Sequence, residues 1–394
     1  MKHQIVVLGA GYAGANAAAR LAKRLHRADT EITLVNADPE FVERVRMHQL
    51  ATGQDLKPRP LTDVFAGTGV QVRLAWVTAV DVDRETVDIV DADGPGEIAY
   101  DTLVYALGSA AADCGVPGVA EHAHDIAGKR SALRLRARLA DLAAGATVLV
   151  VGGGLTGIEA ATEIAESRPD LEVALAARGG LGDWLSDKAR RHLRAAFDRL
   201  GITLHEHTDI AGVEPTGAVT AEGRAIPAQV TVWTAGFAVH PVAAATTLQV
   251  STTGQIVVDD TMRSVSHPDV YAVGDAALAA GASGTPLRMS CASGVPTAYQ
   301  AADAIVARLI GRPVPANKIG YTGQCISLGR RDAIMQWVTP DDRPKPSAVT
   351  GRMAVRIKET ICKAAAWSIS HPTSMVPVRR RHIVLADEPR TTTV

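Results

Sequence analysis

The sequence predicts an α/β fold with two helix-covered parallel sheets and a smaller C-terminal part. Two observations carry this: a strand–glycine turn–helix pattern at residues 4–14, and its recurrence from residue 147. A third is the apolar segment VYAVGDAA, with Gly274-Asp275 at the strand end. Strands alternating with helices build parallel sheets covered on both faces. At 394 residues the chain also exceeds the ~150 residues of a typical domain, so two or three units are expected.

The first element reads QIVVLGAGYAG: a β-branched run, then Gly9, Gly11 and Gly14 with Tyr12 and Ala13 between the last two. The Ala-rich NAAARLAKRL that follows favours helix, and EITLVNAD (31–38) is the next strand. The second copy, TVLVVGGGLTGIEAATEIAE, places Gly152, Gly154 and Gly157 alike and is followed by the strand EVALAAR (172–178). In such a fingerprint the first glycine permits a tight turn and the second lets backbone approach a pyrophosphate. The third lets helix pack on strand, and the helix N-terminus supplies free N–H groups. Two copies, each followed by a second strand, predict two Rossmann-like dinucleotide sites.

Composition narrows the class. The chain is 47% hydrophobic and 21% charged, as globular proteins are. Its 41 basic and 42 acidic residues leave a net charge of −1, so nucleic acid is not an expected partner. No apolar run approaches the ~20 residues of a membrane span. Residues 1–14 pass straight into strand and turn without a leader pattern, so a cytoplasmic protein is expected. Cys114, Cys291, Cys325 and Cys362 form no CxxC or other close pair, which predicts neither a disulfide framework nor a metal site.

The ordered motifs resemble the two-dinucleotide-binding-domain flavoproteins of the pyridine nucleotide–disulfide oxidoreductase superfamily, over residues 3 to about 330. The carriers are both glycine turns, the YAVGD element at Asp275, YDTLVYALGS (100–109) and VTVWTAGFAVHP (230–241). The resemblance implies a discontinuous FAD-binding domain, 1–112 plus 242–315. The NAD(P)-binding domain, 113–241, is inserted in it, and 316–394 forms a C-terminal α+β interface domain suited to a homodimer.

Roles follow from the same resemblance. FAD would be held by Gly9, Gly11, Tyr12, Ala13, Gly14, Asn36, Arg44, Gly108, Gly274, Asp275 and Pro296. Asn36 stands where the family usually carries an acid, and its amide still offers a ribose a hydrogen bond. Pro296 is taken to open the helix whose positive end faces the flavin. NAD(P)H would be held by Gly152, Gly154, Gly157 and Arg178. Ala177 occupies the acid position that favours NADH, and a guanidinium beside it suits the NADPH 2′-phosphate, so the reading leans to NADPH. Glu159, His48 and Gln49 are the candidate catalytic residues. Glu159 also fits a first-turn acid complementing its helix dipole. VERVRMHQL, with Arg44, Arg46, His48 and Gln49, lines either the flavin or acceptor face or a solvated helix.

The superfamily's redox dithiols, CxxxxC on the first-domain helix or CxxC in the NAD(P) domain, have no counterpart here. The implied chemistry is therefore hydride transfer from NAD(P)H to flavin N5, then direct passage of electrons to a quinone-like or other small acceptor. WTAGFAVHP and GQCISLGRRDAIMQW (323–337) resemble the type II NADH dehydrogenases and NAD(P)H:quinone oxidoreductases. MSCASGVPTAYQ lacks the glutamines those enzymes turn towards quinone. A biosynthetic flavoenzyme with one specific metabolite, a ferredoxin reductase, and an FAD-bound interaction protein of the apoptosis-inducing-factor-like type are the alternatives. In residues 353–372, Ile357, Ile361 and Ala365 form an apolar stripe with Arg356, Lys358 and Lys363 around it. That stripe and the RRRH run (379–382) suit core packing, a dimer face or peripheral contact with the inner membrane face.

Overall fold

The computed structural model describes residues 1–315, 317–373 and 378–384. The first glycine unit centres a five-stranded parallel sheet. Its strands run in the order Val270–Ala272, Thr102–Tyr105, His3–Leu8, Thr30–Asn36, Val70–Leu74. The second centres another in the same spatial order: Ala123–His124, Val230–Trp233, Thr147–Val151, Glu172–Ala176, Thr203–His205. In each sheet the two strands that follow the central one in the chain lie on one side of it, and Thr102–Tyr105 or Val230–Trp233, which come later, lie on the other. This reversal opens a crevice at the carboxyl ends of the strands, where the glycine turns lie.

In both units a three-stranded antiparallel sheet follows the third parallel strand, Trp76–Asp81 through Gly94–Ala99 in the first and Ile210–Glu214 through Ala225–Pro227 in the second. Ser109–Ala111 pairs antiparallel with Phe237–Val239, so the chain leaves and re-enters the first unit through one ribbon. The sheet strands are β-branched and buried on both faces: Ile5, Val7 and Leu8, like Val148, Leu149 and Val150, are fully buried.

The C-terminal part is a three-stranded antiparallel sheet, Gly323–Ser327, Ala333–Val338 and Pro344–Thr350, with helix Arg352–Ser370. Its Ile326, Leu328, Ile334 and Ala348 share a core with the second unit's Val148, Ile158 and Leu193 and with Met47 and Leu50 of the first. The inward stripe of this helix is Ala354, Lys358, Cys362, Ala366 and Ile369, whereas Ile361 is exposed. Of the stripe expected at Ile357, Ile361 and Ala365, Ile357 and Ala365 pack half-buried against the core, and Ile361 alone of the three faces outward. Among the described residues no helix is long and apolar enough to cross a membrane.

Candidate functional site

The two glycine turns share one steric pattern. A Cβ on Gly9 would lie 2.5 Å from the Ala106 carbonyl oxygen, and one on Gly152 would lie 2.6 Å from Thr234 Oγ1. Ala106 and Thr234 follow equivalent strands and donate to Leu8 and Val151. A Cβ on Gly14 or Gly157 would overlap the carbonyl oxygen of Gly9 or Gly152. Gly11 and Gly154 alone meet nothing within 4 Å. The outer glycines thus let helix, strand and neighbouring strand close on one another, while the central glycine faces open space. Helices Tyr12–Arg24 and Leu155–Ser167 start at Gly11 and Gly154 without a side-chain cap. Bare helix N-termini beside open glycines fit the pyrophosphate of a dinucleotide.

Gly274 has φ +67°, and a Cβ there would come within 2.9 Å of Ala13 Cβ. Its N–H donates to Thr297 Oγ1 at 3.0 Å, locking the turn onto helix Cys291–Leu309. Asp275 accepts from Ser109 Oγ at 2.6 Å, and Arg44 Nη1 lies 3.8 Å from its carboxylate. Gly108 has φ +70° beside that same Arg44. Gly108, Arg44, Gly274 and Asp275 are therefore brought together, with Ser109 as a member that sequence reading missed. The Ser109–Asp275 contact spans 166 residues and leaves no local pattern.

Asn36 is committed to the protein. Its Oδ1 accepts from the Ala10 N–H at 2.8 Å, and its Nδ2 donates to the Asp38 carbonyl at 2.7 Å, so it holds the glycine turn against the second strand. Pro296 does not open its helix. The helix begins at Cys291, and Pro296 lies inside it. Proline removes one N–H from that stretch, and the Thr297 hydroxyl donates to the Ser293 and Gly294 carbonyls there.

Glu159 is not a first-turn acid. It lies in the second turn of its helix, largely buried, and its Oε1 accepts from the Ser327 N–H at 3.0 Å and from Lys358 Nζ. His48 Nδ1 lies 3.6 Å from Glu159 Oε2, and its Nε2 is buried without a partner. Burial pushes the Glu159 carboxyl up, but Lys358 and His48 outweigh it and hold the group below its ordinary value. Burial pushes His48 down to about 4, against the pull of Glu159, so the ring is neutral at pH 7. Gln49 instead accepts from Arg46 Nη1 at 3.1 Å, and Arg46 also pairs with Glu43 and Glu359. Sequence reading placed Lys358 only among the cations around a helix; its i, i+4 spacing within the stripe 354/358/362/366 was the available signal.

Arg178 is 80% exposed and pairs with Asp209 at 3.1 Å. Ala177 beside it is buried, and no carboxylate stands at its position. All four cysteines are free. Cys291, Cys325 and Cys362, distant in sequence, lie within electrostatic reach of one another and of Glu159. Cys291 is exposed, whereas burial pushes the half-buried Cys325 up to about 12. Cys325 remains a thiol at neutral pH, and a thiol is a poor nucleophile.

Two such glycine turns in one chain, each at the carboxyl end of its own parallel sheet, fit an oxidoreductase that works with a pyridine nucleotide. The model of the pyridine nucleotide-disulphide oxidoreductases matches residues 3–304, and the chain belongs to that family. A NADH dehydrogenase-like protein of Mycobacterium tuberculosis is 30% identical over 358 residues, covering 84% of this chain and 87% of its own. A type II NADH:quinone oxidoreductase of the same organism is 25% identical, with 85% and 79% covered. Among solved structures, the sulfide:quinone oxidoreductase of Aquifex aeolicus matches with a TM-score of 0.78 at 20% identity, covering 94% of this chain and 92% of its own. That last likeness concerns the fold.

Proposed function

We propose that the chain holds FAD at its first glycine turn and NAD(P)H at its second, and reduces a quinone-like small acceptor without a thiol relay. The observation that carries this is the matched pair of turns, each open only at its central glycine, Gly11 and Gly154. When bound, FAD supplies acceptance of hydride from the nicotinamide and release of the electrons to the acceptor. The protein's part is positioning. Gly274 allows close backbone approach, Asp275 presents a carboxylate oriented by Ser109, and Arg44 balances its charge. Glu159 and His48, the candidate catalytic pair, stay together in this reading, with Lys358 Nζ hydrogen-bonded to Glu159. The four cysteines form no CxxC or CxxxxC pair, which favours direct transfer. The quinone class is favoured by the type II NADH:quinone oxidoreductase among the relatives.

The coenzyme proposed is NADPH. Arg178 is exposed beside the strand end, and Ala177 offers no carboxylate to a ribose 2′-hydroxyl. The test is anaerobic mixing of the FAD-loaded protein with NADPH or NADH, followed by a soluble quinone. Expected is bleaching of the flavin band and its return on adding quinone. Failure of both nucleotides to bleach it overturns the hydride-entry reading; bleaching without reoxidation by quinone overturns the acceptor.

A further inference from the structure

Helix Tyr12–Arg24 begins at the first glycine turn, and its far end lies roughly 20 Å away at 1.5 Å per residue. Helix Cys291–Leu309 ends in the same region. The segment 378–384 runs across both ends. Arg381 N–H donates to the Arg24 carbonyl, His26 N–H to the Arg381 carbonyl, and Val384 N–H to the Leu309 carbonyl, each at 2.8 Å. Arg380 Nε adds a bond to the Ala22 carbonyl at 3.1 Å. Carbonyls left over at two helix C-termini are thereby satisfied.

A recess of about 900 Å³ opens here, lined by Lys23, His26, Arg312 and the run Arg379–His382, with Ile310 and Val378 as its apolar part. The lining holds five permanent cations and no carboxylate. Other basic residues on the two helices are neutralised: Arg20 and Arg24 share Asp303. Among the described residues Lys23, Arg312, Arg379 and Arg381 have no such acid. Complementing a helix C-terminus accounts for Lys23, and Arg380 caps a carbonyl, but Arg312, Arg379 and Arg381 exceed that need. Like charges gathered around a concavity repel one another and raise the local concentration of anions.

A metal is the competing occupant, because His26, Asp29 and His382 offer ligand atoms within 4.8 Å of one another. The two imidazoles stack at 4.0 Å with planes 28° apart, so their in-plane lone pairs do not converge on one ion. Asp29 is already engaged by His382 Nδ1 and the Ile383 N–H. The surrounding arginines repel a cation.

We propose that this recess is a binding site for a phosphate-bearing anion, either a free phosphate compound or a phospholipid headgroup, separate from both nucleotide cradles. Guanidinium forks match phosphate oxygens bidentately, and Arg379 and Arg381 line the same recess as His26 and His382. The test uses the full-length, FAD-loaded protein. Inorganic pyrophosphate is titrated calorimetrically at fixed ionic strength, and flotation compares phosphatidylcholine vesicles with and without phosphatidylglycerol. Expected is saturable binding weakened at least about tenfold in the Arg379→Ala/Arg381→Ala double variant, and also in Arg312→Ala should the double variant not fold. Flavin content and reduction by NAD(P)H stay unchanged, which keeps this site's failure distinct from failure of the proposed function. Pyrophosphate binding without vesicle retention identifies a free compound; phosphatidylglycerol-dependent retention that pyrophosphate displaces identifies a headgroup. Absence of both, or binding equal in the variants, overturns the site. Zinc binding abolished by His382→Ala, with no pyrophosphate binding, replaces it with a metal site.

Discussion

Glu159, in the second turn of the helix that follows the second glycine turn, is ion-paired with Lys358 of the C-terminal helix, 199 residues away. Their side chains are only 13% and 11% exposed. The pair reaches across the junction of three parts of the chain, since His48 belongs to the first unit and Ser327 to the C-terminal sheet. Taking both charges out of water is costly, and the backbone donor and the imidazole help offset it.

Removing one partner strands the other. Lys358→Met leaves the Glu159 carboxylate buried without its cation and is expected to cost about 3–5 kcal/mol, while Lys358→Met/Glu159→Leu recovers much of it. Denaturant unfolding of wild type, both single variants and the double variant closes the cycle. Additive losses would show that the contact contributes nothing as a pair.

His48 makes stability depend on acid. Its folded pKa, about 4, lies below its ordinary 6.5, so the unfolded chain binds more protons between those values. The contribution is complete above about pH 6.5 and is lost as pH falls through 4, to an extent of roughly 3 kcal/mol. His48→Leu should therefore flatten the decline in unfolding free energy between pH 6.5 and 4. An unchanged slope would remove His48 as its source.

The glycines separate folding from binding. Gly14→Ala drives a methyl into the Gly9 carbonyl and should lower yield or thermal midpoint. Gly11→Ala meets open space in the protein, so it should fold normally yet retain little flavin, with FAD affinity down at least about tenfold. Absorbance of the purified variants reads the flavin content directly. Full occupancy in Gly11→Ala would count against the first turn as the FAD cradle.

Coenzyme choice is tested at the surface pair. Arg178→Ala should lower the ratio of NADPH to NADH kcat/KM, on the order of tenfold for one charge-assisted contact. Asp209→Ala frees the guanidinium and should raise the ratio. A ratio that moves in neither variant removes Arg178 from nucleotide selection.

The α/β class and both glycine turns were legible in the sequence because they are local. A strand, a turn with prescribed glycines and a helix start need only adjacent residues, and Gly9-x-Gly11-x-x-Gly14 states the steric requirements outright. Pro296 was misplaced by the same local logic: proline suits a first turn, but this helix starts five residues earlier, at Cys291, and carries Pro296 in its interior. The Ser109–Asp275 bond and the choice of Glu159 as the partner of Lys358 left no such pattern. Each depends on which surfaces meet when three parts of one chain pack together. The sequence determined the two strand–glycine turn–helix units; only the tertiary structure decided which charged side chains meet, because burial and long-range contact set a side chain's partner.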